Sequence, residues 1–359
     1  MGKKRSVVLP RSPDSLDLVS YGRRGPGIPG RFSREQLSQI TRTARRVPEV
    51  LVKVSGGGRE AGAVQAHFAY MGKRGKLEIE TDDGRVLTGK GAARELVDDW
   101  NLDLSAGPYR AGRALKYHKP VKSPKDAHNI VLSMPKGTDA KKLFAAAKAF
   151  AANQFAARHR YAIVLHTHQG NPHAHLVVKA RSEQGQRIYI RKATLQAWRE
   201  DFAKELRARG IAANATKRVV RGQTKSAKKT PIHRAAMRGR STFMESLAKD
   251  VGNEIRAGRL KPEAGRASIA RSREIVVRDW ELTARKLEAQ DERALAAEVR
   301  AFVRKMRPAR TDREWVAAGI LEEVARRQVA VQTRLREPSA PHAHGRSSDL
   351  DRGRDDRPR

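Results

Sequence analysis

The chain has 359 residues, enough for one well-buried domain with appended parts, and its 75 lysines and arginines against 39 acidic residues give a formal charge of +36 and a pI near 11.1. A field of that size points to a polyanionic partner, nucleic acid before membrane. The absence of cysteine excludes disulfides and thiolate metal sites, the apolar run at 7–9 is too short for a signal-peptide core, and no apolar stretch reaches membrane-spanning length.

Residues 1–49 read as a basic arm, in which RRGPGIPGR precedes a short helix opened by a Ser33–Gln36 capping box and closed by Pro48. The run VLVKV at 50–54 predicts a strand. SGGGRE then turns into AGAVQAHFAYMGKRG, a helix that carries His67 and Tyr70 and ends at Gly75. Residues 77–81 and 85–88 suggest a small hairpin about Asp82-Asp83-Gly84, followed by a short helix through Trp100. Residues 101–126 show no period and read as a basic loop.

NIVLSM at 129–134 is a second apolar strand, and an Ala-rich helix with Leu143, Phe144, Ala147, Phe150 and Ala151 on one face follows it. Next comes YAIVLHTHQGNPHAHLVVKA at 161–180, two strand-like runs about a turn cluster. His166 and His168 precede the turn; His173 and His175 follow it. Side chains two apart on a strand share a face. A turn centred between Gly170 and Asn171 would set His166 opposite His175 and His168 opposite His173, with Ile163, Leu165, Ala174, Leu176 and Val178 on the core-facing side.

A further hairpin at 183–186 leads into RIYIR at 187–191 as a strand, then into a helix in which Leu195, Trp198, Phe202 and Leu206 recur at three- and four-residue steps. About five or six strands interleaved with three helices, several strands joined by tight hairpins, give an α+β class with a largely antiparallel sheet and flanking helices. The basic stretch 223–240 lacks apolar period and reads as a linker. Residues 241–337 are helix-rich, with a capping box from Thr311 to Glu314, and 338–359 have the composition of a disordered tail.

Three or four imidazoles on one sheet face make a divalent-metal site far more probable than a lone histidine would, because neutral imidazole nitrogens are good transition-metal ligands. The bland alternative is a solvated polar face. The string from His166 through Thr-His-Gln-Gly-Asn-Pro to His173-Ala-His175 resembles the metal-binding motif of HUH-superfamily conjugative relaxases, with the closest likeness to the MOBP class that includes the border endonuclease of tumour-inducing plasmids. Residues 50–222 look like its relaxase domain, including the HxxY helix of His67 and Tyr70 and the LSMPKG segment around Ser133.

The resemblance implies that His166, His173 and His175 hold a metal, with Mg2+ or Mn2+ ahead of Zn2+, and that Tyr70 is the nucleophile of a metal-assisted transesterification. It implies site- and strand-specific nicking and rejoining at an origin of transfer, through a 5′-phosphotyrosyl intermediate. His168 departs from an acidic residue in many relatives, and metal binding, polarising a neighbour and taking a proton all stay open for it. His67, three residues before Tyr70, is placed to orient or deprotonate the phenol, and otherwise is a surface histidine. Basic residues Lys53, Arg59, Lys73, Arg74, Lys179 and Arg191 are expected on DNA phosphates, and Ser133 either contacts a phosphate or merely ends a strand.

The implied partners are single-stranded origin-of-transfer DNA, relaxosome accessory proteins and a type IV secretion coupling protein, with no membrane insertion. The implied location is the cytoplasm, with passage into a recipient cell on covalently bound DNA as a further outcome the resemblance raises. Two other readings share the histidine patch: an HUH nuclease of rolling-circle replication or transposition, and a non-catalytic DNA-binding accessory protein with a structural metal.

Overall fold

The computed structural model describes residues 31–102, 124–168, 170–223, 230–261, 263 and 265–336. Tyr21, Tyr109, Tyr117 and the tail lie outside this set. By contacts the described residues fall into two compact units, one of 31–223 with 272–307 and one of 230–271 with 308–336. No helix among them is long and apolar enough to cross a membrane.

The first unit is built on one six-stranded sheet: β1 (Leu51–Gly56), β2 (Ile79–Thr81), β3 (Val86–Leu87), β4 (Ala127–Ser133), β5 (Tyr161–His166) and β6 (His173–Lys179). The order is β1-β4-β6-β5-β2-β3, and every neighbouring pair is antiparallel. The strands alternate as the pleat requires. Ile130, Leu132, Ile163, Ala174, Leu176 and Val178 enter one core, under α4 (Ala140–Phe155) and α5 (Lys192–Ala208). Phe150, Phe155, Trp198 and Phe202 meet edge to face within it.

The opposite face packs Ala127, Ala162, Val164 and Val177 beneath α2 (Ala61–Met71) and α3 (Ala92–Asp99). Both faces of the middle strands are therefore covered, which is why these strands read as nearly continuous apolar runs.

Residues 33–36 form the capping box that the sequence implies: Gln36 N donates to Ser33 Oγ at 3.2 Å, and Ser33 N to Gln36 Oε1 at 2.8 Å. The helix it opens, α1 (Arg34–Ala44), buries Ile40 in a third cluster with Val220, Trp280, Leu287, Val299 and Phe302. Trp280 and Leu287 come from α8 (Arg266–Glu288), and Val299 and Phe302 from α9 (Arg293–Arg304). A buried polar knot ties this layer to the sheet. Glu49 accepts from Thr216 N at 2.7 Å, and Asn214 Nδ2 donates to Thr43 Oγ1 at 3.2 Å and to Thr216 Oγ1 at 2.7 Å.

Two local expectations are corrected, the strand at 187–191 and the register of the histidine hairpin. The segment 187–191 makes only an isolated bridge, Arg181↔Arg187, and not a strand. β6 already has β4 on one side and β5 on the other, so no free edge remains for a following strand, and Ile188 and Ile190 pack on the core without a ladder. The stretch expected as a linker contains a helix, α6 (Thr230–Met237). Pro231 falls in its first turn, where the missing N–H costs nothing, and Gly239 at φ 64° ends the segment.

The histidine hairpin pairs His166 with His173 and Val164 with His175, two residues out of the expected register. Its connection, 167–172, holds Gly170 at φ 73°, and Pro172 lacks the N–H that another rung would need. A two-residue shift preserves faces, whereas a one-residue slip would have reversed them.

In the second unit, α7 (Thr242–Arg256) packs against α10 (Asp312–Arg336), and Arg313 reaches Glu254 at 2.6 Å. The Thr311–Glu314 capping box is present, with Thr311 N donating to Glu314 Oε2 at 2.9 Å and Glu314 N to Thr311 Oγ1 at 3.2 Å.

Candidate active site and metal centre

His166 and His173 face each other as the last rung of the β5–β6 ladder, and His175 follows two residues on, so all three project from the α2 side of the sheet. Their ring centroids lie 4.5 to 5.2 Å apart, and one nitrogen from each falls within 4.8 Å of the other two. Nitrogens bound to one divalent ion sit about 3–3.5 Å apart, so the set is close to assembled.

Hydrogen-bond partners fix which nitrogens are available. His166 Nε2 lies 2.6 Å from the carbonyl of Met71; a carbonyl only accepts, so Nε2 carries the proton and Nδ1 keeps its lone pair. His173 Nδ1 donates to the carbonyl of Asn171 at 2.9 Å, leaving Nε2 free. His175 Nδ1 is buried and has no partner among the described residues. Burial, aided by the neighbouring imidazoles, pushes His175 down to about 3, and burial also lowers His166 against the Met71 hydrogen bond. His166 and His175 are therefore neutral near pH 7, the form that binds metal, and the donor set fits a divalent cation.

α2 is anchored to the sheet by Val64, Phe68 and Met71, all buried at three- and four-residue steps. That anchoring turns His67 and Tyr70, one helical step apart, toward the histidines. The Tyr70 ring stacks on His67 at 6.0 Å and meets His175 edge-on at 6.3 Å, while His67 and His175 are 6.4 Å apart. Tyr70 is 61% exposed, which leaves its phenol open to a substrate. His67 Nε2 is buried without a partner among the described residues, and burial lowers its pKa, so the ring is neutral near pH 7. Of the other described tyrosines, Tyr161 is buried in the core of the opposite face, and Tyr189 lies beyond the far end of β6.

His168 leaves the strand and is exposed in the turn, its ring 5.1 Å from His166 and 6.4 Å from His173. Loss of hydration, then Lys73 and His173, lowers its pKa. Lys73 and Arg74 follow α2 directly, both with left-handed backbone at φ 48° and 56°. That conformation is uncommon for such residues.

Lys53 is exposed on β1, on the histidine face. Ser133 is buried, and its hydroxyl donates to the carbonyl of Pro172 at 3.2 Å, tying β4 to the turn. The remaining basic residues lie apart from the histidines. Arg59 precedes the start of α2, at the end away from Tyr70. Lys179 is at the far end of β6, paired with Glu183 at 2.9 Å, and Arg191 occupies the N-cap position of α5 beside the opposite core.

Two contacts that shape the site, the carbonyls of Met71 and Asn171, had no signal in the sequence, since every residue carries a carbonyl.

Residues 87–210 match the family model described as "Relaxase: MobA/VirD2-like, nuclease domain". The matched stretch contains the histidine hairpin and stops short of α2. No curated protein matches the chain. A solved structure described as "Molecular Basis of Vancomycin Resistance Transfer in Staphylococcus aureus" aligns with 48% of this chain and 99% of its own, at 14% identity and a TM-score of 0.31. The segment that carries the three clustered histidines thus lies within the stretch that matches the MobA/VirD2-like relaxase nuclease domain.

Proposed function

We propose that the chain nicks and rejoins one strand of DNA at an origin of transfer, with Tyr70 as the nucleophile. The phenol oxygen attacks the scissile phosphorus, its proton passes to His67 Nε2, the bond to the 3′ oxygen breaks, and that oxygen takes a proton from solvent. The products are a free 3′ hydroxyl and a strand joined through its 5′ phosphate to Tyr70. One ester replaces another, so the reverse attack by a 3′ hydroxyl reseals the strand without ATP.

His166, His173 and His175 would hold the divalent ion, Mg2+ or Mn2+ before Zn2+; when bound, it supplies Lewis-acid polarisation of the scissile phosphate. Phenol ionises near pH 10, so attack at neutral pH needs a base, and the stacked, unpartnered His67 is the nearest described one.

The observation that carries this reading is the exposed Tyr70 ring 6.3 Å from His175. Relaxosome accessory proteins and a type IV coupling protein are the partners this role would require, with transfer alongside the bound strand.

Tyr70→Phe is the test. The purified variant should bind single-stranded DNA but neither nick it nor become covalently attached. Mass spectrometry of the wild-type product should find the nucleotide on Tyr70. Nicking and attachment that survive the substitution would overturn the mechanism, and a wild-type protein that binds without nicking would leave the accessory-protein reading standing.

A further inference from the structure

On the histidine face, α2 and α3 cover only part of the sheet, over Ala127, Ala162, Val164 and Val177. Toward β1 the exposure of this face rises among the described residues: Asn129 and Ser133 of β4 are buried, whereas Leu51 and Lys53 of β1 are exposed. Cross-strand register puts Leu51, Ser133, His173 and His166 in one row, and Lys53, Val131, His175 and Val164 in the next. β1 is an edge strand, Leu51 is 50% exposed, Lys53 is exposed and Val131 half-buried. With strands about 4.8 Å apart, Leu51 and Lys53 stand about 10 Å from His173 and His175.

A single exposed leucine is ordinary, and a lysine on an edge strand commonly serves only to discourage strand-to-strand aggregation. Here the two share rows with the clustered imidazoles and are exposed on the same face of the sheet. A strand whose phosphate is held between Tyr70 and the histidines has these two exposed side chains about 10 Å away along the rows.

We infer that Leu51 and Lys53 form the floor for nucleotides flanking the scissile phosphate, Leu51 packing on a base and Lys53 pairing with a backbone phosphate. This rests on the single-strand nuclease reading above. Leu51 supplies an apolar contact that any base can use, with shape setting preference, and Lys53 supplies charge without sequence information.

The test uses the full chain carrying Tyr70→Phe, a dodecathymidylate probe and an abasic dodecamer of the same length. Adding Leu51→Ala should weaken dodecathymidylate binding about three- to tenfold, the burial of half a leucine side chain. Abasic binding should be unaffected, and Leu51→Phe should restore the loss. Leu282→Ala, another exposed leucine, should change nothing.

A 5-bromodeoxyuridine dodecamer irradiated with the unsubstituted floor should label the peptide spanning 51–53. Equal affinity of Leu51→Ala for both probes, or label confined to other peptides, would overturn the assignment. If the Tyr70→Phe parent binds neither probe, the nuclease reading itself fails, a different result from loss at Leu51 alone.

Discussion

His166 Nε2 donates to the backbone carbonyl of Met71 across 2.6 Å, and Met71 directly follows Tyr70. One hydrogen bond thus joins a clustered imidazole to the last turn of the helix that carries the proposed nucleophile. It does so at a carbonyl with few other partners to choose from, since the last carbonyls of a helix have none within it.

The first prediction follows from that bond. His166→Ala and His173→Ala should each lower divalent-metal affinity by about 10-fold or more, on the scale of losing a ligand or its support. Only His166→Ala should also speed hydrogen exchange at the end of α2, where the Met71 carbonyl loses its donor. Metal titration calorimetry gives the first quantity and amide exchange of the metal-free protein the second. Equal exchange in the two variants would sever the proposed link between helix and metal centre.

A second prediction separates fold from site. Phe150 is fully buried among Phe155, Trp198 and Phe202, on the face of the sheet away from the histidines. Phe150→Ala should cost about 3–5 kcal/mol of stability, the usual range for emptying an aromatic core position. Metal affinity below the unfolding transition should stay within about twofold, because distant sites with no shared partners act nearly independently. Urea unfolding followed by metal titration at low urea checks both.

The sheet and its helices were largely legible because period-2 and period-3.6 patterns report burial directly. Leu195, Trp198, Phe202 and Leu206 gave α5, and Leu176 and Val178 gave the core face of β6. The grouping of the histidines was also legible, since an even register error leaves faces unchanged. The hairpin register was not, because the six-residue connection is set by Gly170 and Pro172 rather than by any apolar pattern. RIYIR shows another limit: strand composition says nothing about whether an edge is free. Packing of α1 against α8 and α9 joins residues some 250 positions apart, and no local pattern encodes such a contact.

A third prediction concerns acid. His128 lies on β4 with a buried Nδ1 that has no partner among the described residues; burial, then Lys125, Arg187 and His159, pushes its pKa down to about 4. The folded state prefers the neutral ring, whereas the unfolded chain takes up a proton near pH 6.5. Its contribution is therefore intact above about 6.5 and lost as pH falls toward 4. His128→Gln should flatten the fall in unfolding midpoint between pH 6.5 and 4, measured by urea titration at each pH. An unchanged slope would assign the acid sensitivity to other groups.

A fourth prediction concerns how the basic residues divide between DNA and fold. Each lysine that neutralises a phosphate on single-stranded DNA adds about 0.7 to the slope of log affinity against log salt. Lys53 is exposed, has no carboxylate partner among the described ion pairs, and shares a sheet face with the histidines. Lys179 is 8% exposed, bonded to Glu183 at 2.9 Å, and six residues down β6 from His173, about 20 Å along the strand. Lys53→Gln should therefore reduce the slope by about 0.7 and weaken binding at low salt most. Lys179→Gln should leave the slope unchanged and lower stability instead, because it strips a nearly buried ammonium from its carboxylate and leaves an amide in its place. Fluorescence anisotropy of a single-stranded probe from 50 to 400 mM salt, at about pH 7.5, distinguishes the two. Equal slopes for the two variants would mean that the strand contacts both ends of the sheet or neither, and either result would displace the path over β4 and β1.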